Sequence, residues 1–181
     1  MPFAHIALLL SAGAVAGSLY LSLEMNLKAC TLCFYQRAFV CGLVGVLATG
    51  VLTFRDQGAK LCMVALPLAI AGLGVAGFHV WLGWTGWPRQ NADWYLACPA
   101  GIEGIGTAPQ QSFAAFALIT AVLLIGALGE VGTSGRGGFA LLLALALGAG
   151  GSYASIAANP PMPDPKPLPA GPLETCQRTP R

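Results

Sequence analysis

The sequence predicts an all-α integral membrane protein, a four-helix transmembrane bundle joined by a fifth transmembrane helix. Three observations predict it. Of 181 residues, 56% are hydrophobic and only 9% are charged, where soluble domains carry about 25% Asp, Glu, Lys and Arg. The charges fall between five long apolar stretches, and each stretch approaches the roughly 20 residues that a helix needs to cross a hydrocarbon core. Within that core the backbone must satisfy its own hydrogen bonds, so each stretch is predicted to be helical. A net charge of +2 gives too weak a field for a phosphate-tracking surface, so no nucleic-acid partner is expected. Disorder is excluded by the same apolar content, except in the C-terminal tail.

The first span, 3–23, is uncharged apart from His5. Its Ala14-Val15-Ala16 resembles a signal-peptide cleavage site. No Lys or Arg precedes the apolar run, which continues to Leu23, so a retained span is predicted. Gly13 and Gly17 put small residues on one face, where a neighbouring helix is expected to approach closely. A connection over 24–37 carries Cys30 and Cys33. The second span, 38–54, is at the short limit and is predicted to extend into flanking sequence, as is the fourth. After a turn at 55–60, the third span, 61–81, contains only His79 as a titratable interruption besides Cys62. Its Gly72-Leu-Gly74-Val-Ala-Gly77 fits a dinucleotide fingerprint, yet it lies inside an apolar span with no preceding strand. Close helix packing explains it better.

The loop 82–112 is aromatic, with Trp84, Trp87, Trp94 and Tyr95, and it holds Cys98. The fourth span is 113–129, and a Gly-rich turn over 130–136 leads to the fifth, 137–158. The tail, 159–181, contains eight prolines and is predicted to be extended and without a core.

Successive spans alternate direction, so five spans put the first loop, the third loop and the tail on one side of the membrane. Those segments hold Cys30, Cys33, Cys98 and Cys176. The other two cysteines, Cys41 and Cys62, fall within spans and are expected to be small buried hydrophobes. With the N-terminus inside, the cytoplasmic turns hold Arg55, Lys60 and Arg136 against six Lys or Arg opposite, so the positive-inside rule does not support that orientation, although it weighs short loops and discounts translocated tails. Disulfides persist in oxidising compartments, which puts the cysteine side outside and the N-terminus in the cytoplasm.

Cys30-Thr-Leu-Cys33 precedes the second span, so Cys33 is predicted in or beside the first helical turn, where unpaired N–H groups and the helix dipole favour a thiolate. Arg37 lies one turn further on the same face. A guanidinium at a membrane boundary is costly without a partner, and a thiolate or a polarised ligand oxygen supplies one. Counted from the turn at 55–60, Arg37 and His79 both rise about 26 Å and share a depth. Cys33, Arg37 and His79 together suggest a site open to the lipid that takes a hydrophobic two-electron acceptor such as a quinone. The tail, reaching about 56 Å if extended, can return Cys176 to Cys98. A bond between them is expected to be labile and exchange-competent.

The string Cys30-Thr-Leu-Cys33-Phe-Tyr-Gln-Arg37 is similar to the first-loop motif of the DsbB family of disulfide bond formation proteins, and the resemblance covers spans one to four. It implies a thiol:quinone oxidoreductase in a bacterial inner membrane. A periplasmic thioredoxin-fold oxidase of the DsbA type is reoxidised at Cys98, electrons pass to Cys30 and Cys33, and then to ubiquinone or menaquinone. The resemblance gives Cys33 to the quinone with help from Arg37 and His79, and Cys30 to exchange with the loop pair. One departure is large: the family carries both loop cysteines in the second periplasmic loop, whereas here the candidate partner of Cys98 is Cys176, beyond an additional span.

Two other functions compete. A vitamin K epoxide reductase-like quinone reductase also joins a Cys-x-x-Cys to a quinone, but there the loop cysteines precede the motif. A non-enzymatic scaffold with a four-thiolate zinc cage is the structural alternative; structural zinc usually draws on two close cysteine pairs and here there is one, so no metal is assigned.

Overall fold

The computed structural model describes residues 2–24, 30–54, 56–84, 102, 105–131 and 137–158. They form five helices, each long and apolar enough to cross a membrane: α1 (Pro2–Leu23), α2 (Thr31–Thr53), α3 (Gly58–Trp84), α4 (Ala108–Val131) and α5 (Gly137–Ala157). No strand occurs among the described residues. The Pro-rich tail lies outside them.

The helix α3 is the axis of the bundle. It packs against α2, α4 and α5, while α1 closes the far side against α2 and α4. Its most apolar window is 56% buried, against 11% in both α1 and α5, so the outer helices present their apolar surface to lipid, as Leu9, Leu142 and Leu147 do. The core interdigitates Leu43 and Leu47 of α2 with Leu61, Leu66 and Ala69 of α3, Ile119 and Leu123 of α4, Ala4 and Ala7 of α1, and Ala144 of α5. Pro67 sits inside α3. A missing N–H is tolerated in a membrane helix where neighbouring elements surround the freed carbonyl.

Glycines set how close the helices come. A Cβ on Gly72 would overlap the Phe116 ring, and one on Gly74 would overlap the Ser152 hydroxyl. On α5, a Cβ on Gly148 would stand 2.6 Å from Ile70 Cβ. The α3 glycine run is therefore a packing surface for α4 and α5, as its apolar setting predicts. Gly13 behaves differently: nothing lies within 4 Å of its Cβ position, and Gly17 meets only Ile102 at 3.4 Å. Among the described residues no helix approaches that face closely, contrary to the sequence expectation.

The helices overrun the charge-free stretches. α2 begins at Thr31 rather than 38, α3 covers 58–84, and α4 begins at Ala108. Charge-based limits stop short because Gln36, Arg37 and Ser112 find polar partners inside the bundle. Cys62 is buried as expected, but Cys41 is exposed on the outer face of α2.

Candidate functional site

The Cys-x-x-Cys motif is the start of α2. Cys30 is the N-cap, with extended backbone (φ −81°, ψ 170°), and its sulfur accepts the Cys33 N–H at 3.2 Å, satisfying one of the orphan donors of the first turn. Cys30 also donates its S–H to Cys33 Sγ at 3.0 Å. Donation to Cys33 and then burial push the Cys30 thiol well above the ordinary thiol range, so Cys30 stays protonated and Cys33 is the sulfur placed to carry charge. Both are free thiols.

Two polar arrays hold the pair. On one side, His79 is buried at 4% exposure, with Nε2 3.9 Å from Cys30 Sγ. Its Nδ1 accepts from Gln36 Nε2 at 3.2 Å, and Gln36 Oε1 accepts from Ser112 Oγ at 2.7 Å. With Nδ1 accepting, the ring proton lies on Nε2 and points to Cys30. This array ties α2, α3 and α4 together at the motif.

On the other side, Arg37 is tied to α1. Its Nε donates to Ser18 Oγ at 2.9 Å, and its Nη2 donates to the Ser18 carbonyl at 3.0 Å and to Ser22 Oγ at 2.7 Å. Among the described residues these bonds use three of the five guanidinium donors. The guanidinium also lies 5.9 Å from the centroid of the Phe34 ring. The boundary charge is thus partnered by α1 hydroxyls as well as facing the motif.

Between α1, α2 and the beginning of α4 lies a cavity of about 400 Å³, within the roughly 300–1,000 Å³ typical of small-molecule sites. Gly13, Ala14 and Gly17 form its floor, and Cys33, Gln36, Arg37 and Ser112 form its polar end. The empty space beside Gly13 is therefore the cavity itself. Ile102 and Ile105 roof it and are held by Gln111, whose Nε2 donates to both carbonyls at 3.1 and 2.8 Å. The local sequence explains that placement. Thr107 caps α4, its Oγ1 accepting from the Gln110 N–H at 3.4 Å, while Gln110 Oε1 accepts from the Thr107 N–H at 2.9 Å. This reciprocal capping box fixes the rotation at which Gln111 and Ser112 emerge.

Of the residues singled out from sequence, Cys30, Cys33, Arg37 and His79 converge at one end of the bundle. His79 is absent from the cavity lining and stands behind Cys30, so the depth it shares with Arg37 does not place the two on one wall. Cys98 and Cys176 lie outside the described residues, with Trp87, Trp94 and Tyr95. Sequence reasoning missed Gln36, Ser18, Ser22 and Ser112. The spacings carried a signal: Gln36 follows Cys33 by three residues, and Ser18 and Ser22 are one turn apart in an otherwise apolar helix.

Residues 2–118 match a family model described as "Disulfide bond formation protein DsbB". A probable disulfide formation protein of Chlamydia trachomatis serovar D is 30% identical over 123 residues, covering 67% of this chain and 89% of that protein. Similar proteins carrying the same description come from Chlamydia caviae, 29% identical with 65% and 85% covered, and from Chlamydia pneumoniae, 26% identical with 67% and 88% covered. No solved structure matches.

Proposed function

The chain belongs to the DsbB family of disulfide bond formation proteins, as a multi-pass membrane oxidoreductase, and from that premise we propose that it is a thiol:quinone oxidoreductase that reoxidises a DsbA-like periplasmic dithiol. The observation that carries this is the cavity: one exchange-competent sulfur, Cys33, opens into a space with an apolar floor and a cationic end. That combination fits a quinone, whose ring is apolar and whose oxygens accept hydrogen bonds. A quinone bound there supplies a two-electron sink that leaves as the quinol.

The electrons balance across two disulfide exchanges. The partner's two thiols reduce a Cys98–Cys176 disulfide and leave as a disulfide. The resulting thiols reduce Cys30–Cys33, and the pair returns to the disulfide by releasing two electrons and two protons into the cavity. Arg37, pinned by Ser18 and Ser22, orients the acceptor's oxygen and offsets charge at Cys33. Cys30 must lose its proton before it bonds to Cys33. The His79 Nε2–H, aligned by Gln36 and Ser112, donates to Cys30 Sγ and steadies that sulfur as the proton departs. Ile102 and Ile105 roof the cavity into which the reacting sulfur opens.

In this proposal the molecule sits in a bacterial inner membrane with the motif end, the 82–112 loop and the tail on the periplasmic side and the N-terminus in the cytoplasm. The test is oxidation of a reduced DsbA-like protein in membranes containing ubiquinone or menaquinone. Catalytic turnover that disappears in Cys33→Ser is the expected result, and full turnover in that variant would refute the assignment.

A further inference from the structure

The structure brings a third donor to the two thiols that the redox cycle does not need as a ligand. Cys30 Sγ, Cys33 Sγ and a ring nitrogen of His79 all lie within 4.8 Å of one another, with the sulfurs 3.0 Å apart and Nε2 3.9 Å from Cys30 Sγ. Zinc bonds of about 2.3 Å to sulfur and about 2.0 Å to nitrogen in a tetrahedron place donor atoms roughly 3.3–3.8 Å apart. Reaching that arrangement means widening the sulfur pair by about 0.8 Å and closing the sulfur–nitrogen separations by about 0.4 Å at Cys30 and at most about 1.3 Å at Cys33. We propose that the reduced motif is a metal site: Cys30, Cys33 and His79 bind one thiophilic d10 dication, with Zn²⁺ as the type, only while both thiols are reduced.

The chemistry of the surroundings supports this. Cys30 and His79 are buried, where a lone charge is expensive, but two thiolates with one dication are neutral together. Binding moves two protons from sulfur to solvent and transfers no electrons. The fourth position falls to water, reached through the cavity that Cys33 lines. An oxidised pair has no thiolates, so disulfide formation removes the site.

A supporting shell is already in place. Metal ligation needs a lone pair on His79 Nε2, which moves the ring proton to Nδ1. Turning the Gln36 amide over presents Oε1 to that proton and its NH₂ to Ser112 Oγ, which can accept as readily as it now donates. An oxygen acceptor on the ligating histidine's other nitrogen is the usual outer-shell arrangement of zinc sites.

The proposal needs only that the pair can be reduced, so it stands apart from the quinone assignment, and loss of quinone-dependent turnover leaves its test unchanged. The experiment titrates the reduced, detergent-solubilised full chain with Zn²⁺, and with Co²⁺ as a spectroscopic probe, in a Cys41→Ser/Cys98→Ser/Cys176→Ser background, which leaves buried Cys62 as the one thiol besides the motif. Expected are one equivalent bound, release of protons, and a thiolate-to-cobalt charge-transfer band, all missing from the same protein after oxidation to the Cys30–Cys33 disulfide. His79→Ala should abolish the band. Gln36→Leu should weaken affinity about ten-fold, and Gln36→Glu, which keeps an oxygen for Nδ1–H, should restore the parent affinity. Equal binding by oxidised protein, or binding indifferent to both His79→Ala and Gln36→Leu, would overturn the site.

Discussion

The α1 face around Gly13 and Gly17 and the α3 face around Gly72 and Gly74 look alike in sequence, two small-residue runs in apolar helices, and the bundle uses them in opposite ways. On that α3 face the missing side chains are replaced by neighbours: Phe116 occupies the space at Gly72 and Ser152 the space at Gly74. On α1 the space stays open and becomes the floor beside Cys33. Small residues in a membrane helix permit close approach but do not compel it. What decides is whether a facing helix brings a side chain of the right size to that level.

Filling each space tests the contrast. The largest effect is expected from Gly72→Leu, which must displace the Phe116 ring in a packed interior; overpacking of that kind costs about 1–3 kcal/mol. A lowered midpoint of denaturant-induced unfolding in detergent would register it, and an unchanged midpoint would mean that the α3–α4 seam is loose. Gly13→Leu should leave that midpoint alone and instead raise the KM for quinone about ten-fold, or ~1.4 kcal/mol of lost binding. Normal quinone kinetics with the floor filled would separate the cavity from quinone chemistry. The smallest effect belongs to Ser152→Ala. Its one hydroxyl proton is shared among the carbonyls of Ile70, Ala71 and Gly148 at 3.1–3.3 Å, and a hydrogen bond within a membrane bundle averages about 0.6 kcal/mol. A much larger loss would show α5 to be held by that hydroxyl rather than by glycine packing.

The five helices were legible because charge is excluded from hydrocarbon, and the convergence of Cys30, Cys33 and Arg37 was legible because motif and spacing fall within two turns of one helix. Helix ends were not, since Arg37 reads as a boundary until Ser18 and Ser22 are known to hold it. The position of His79 was half legible. Rise along an axis gives depth, but each residue also turns the helix by about 100°, and depth arithmetic leaves that rotation undetermined. It set His79 level with Arg37 and did not reveal that it stands behind Cys30. Gln36 carried the local signal of its spacing from Cys33, but Ser112 carried none: their bond joins residues 76 apart in the chain, and no local pattern announces such a pairing. Cys41 was misjudged because an apolar thiol reads the same whether it faces protein or lipid.

The anchoring of Arg37 on α1 bears on how the protein is made. An arginine at the centre of a spanning helix costs about 2.5–3.5 kcal/mol during insertion, and one near a helix end, as Arg37 is in α2, costs part of that if it enters alone. Its partners here, Ser18 and Ser22, belong to the helix synthesised immediately before it, so α1 and α2 can enter the bilayer as a hairpin with the cation already solvated. The His79–Gln36–Ser112 chain cannot close until α3 and α4 have followed. Biogenesis thus divides the motif's surroundings in time: the charge is accommodated at the first hairpin, and the histidine chain behind Cys30 is completed two helices later.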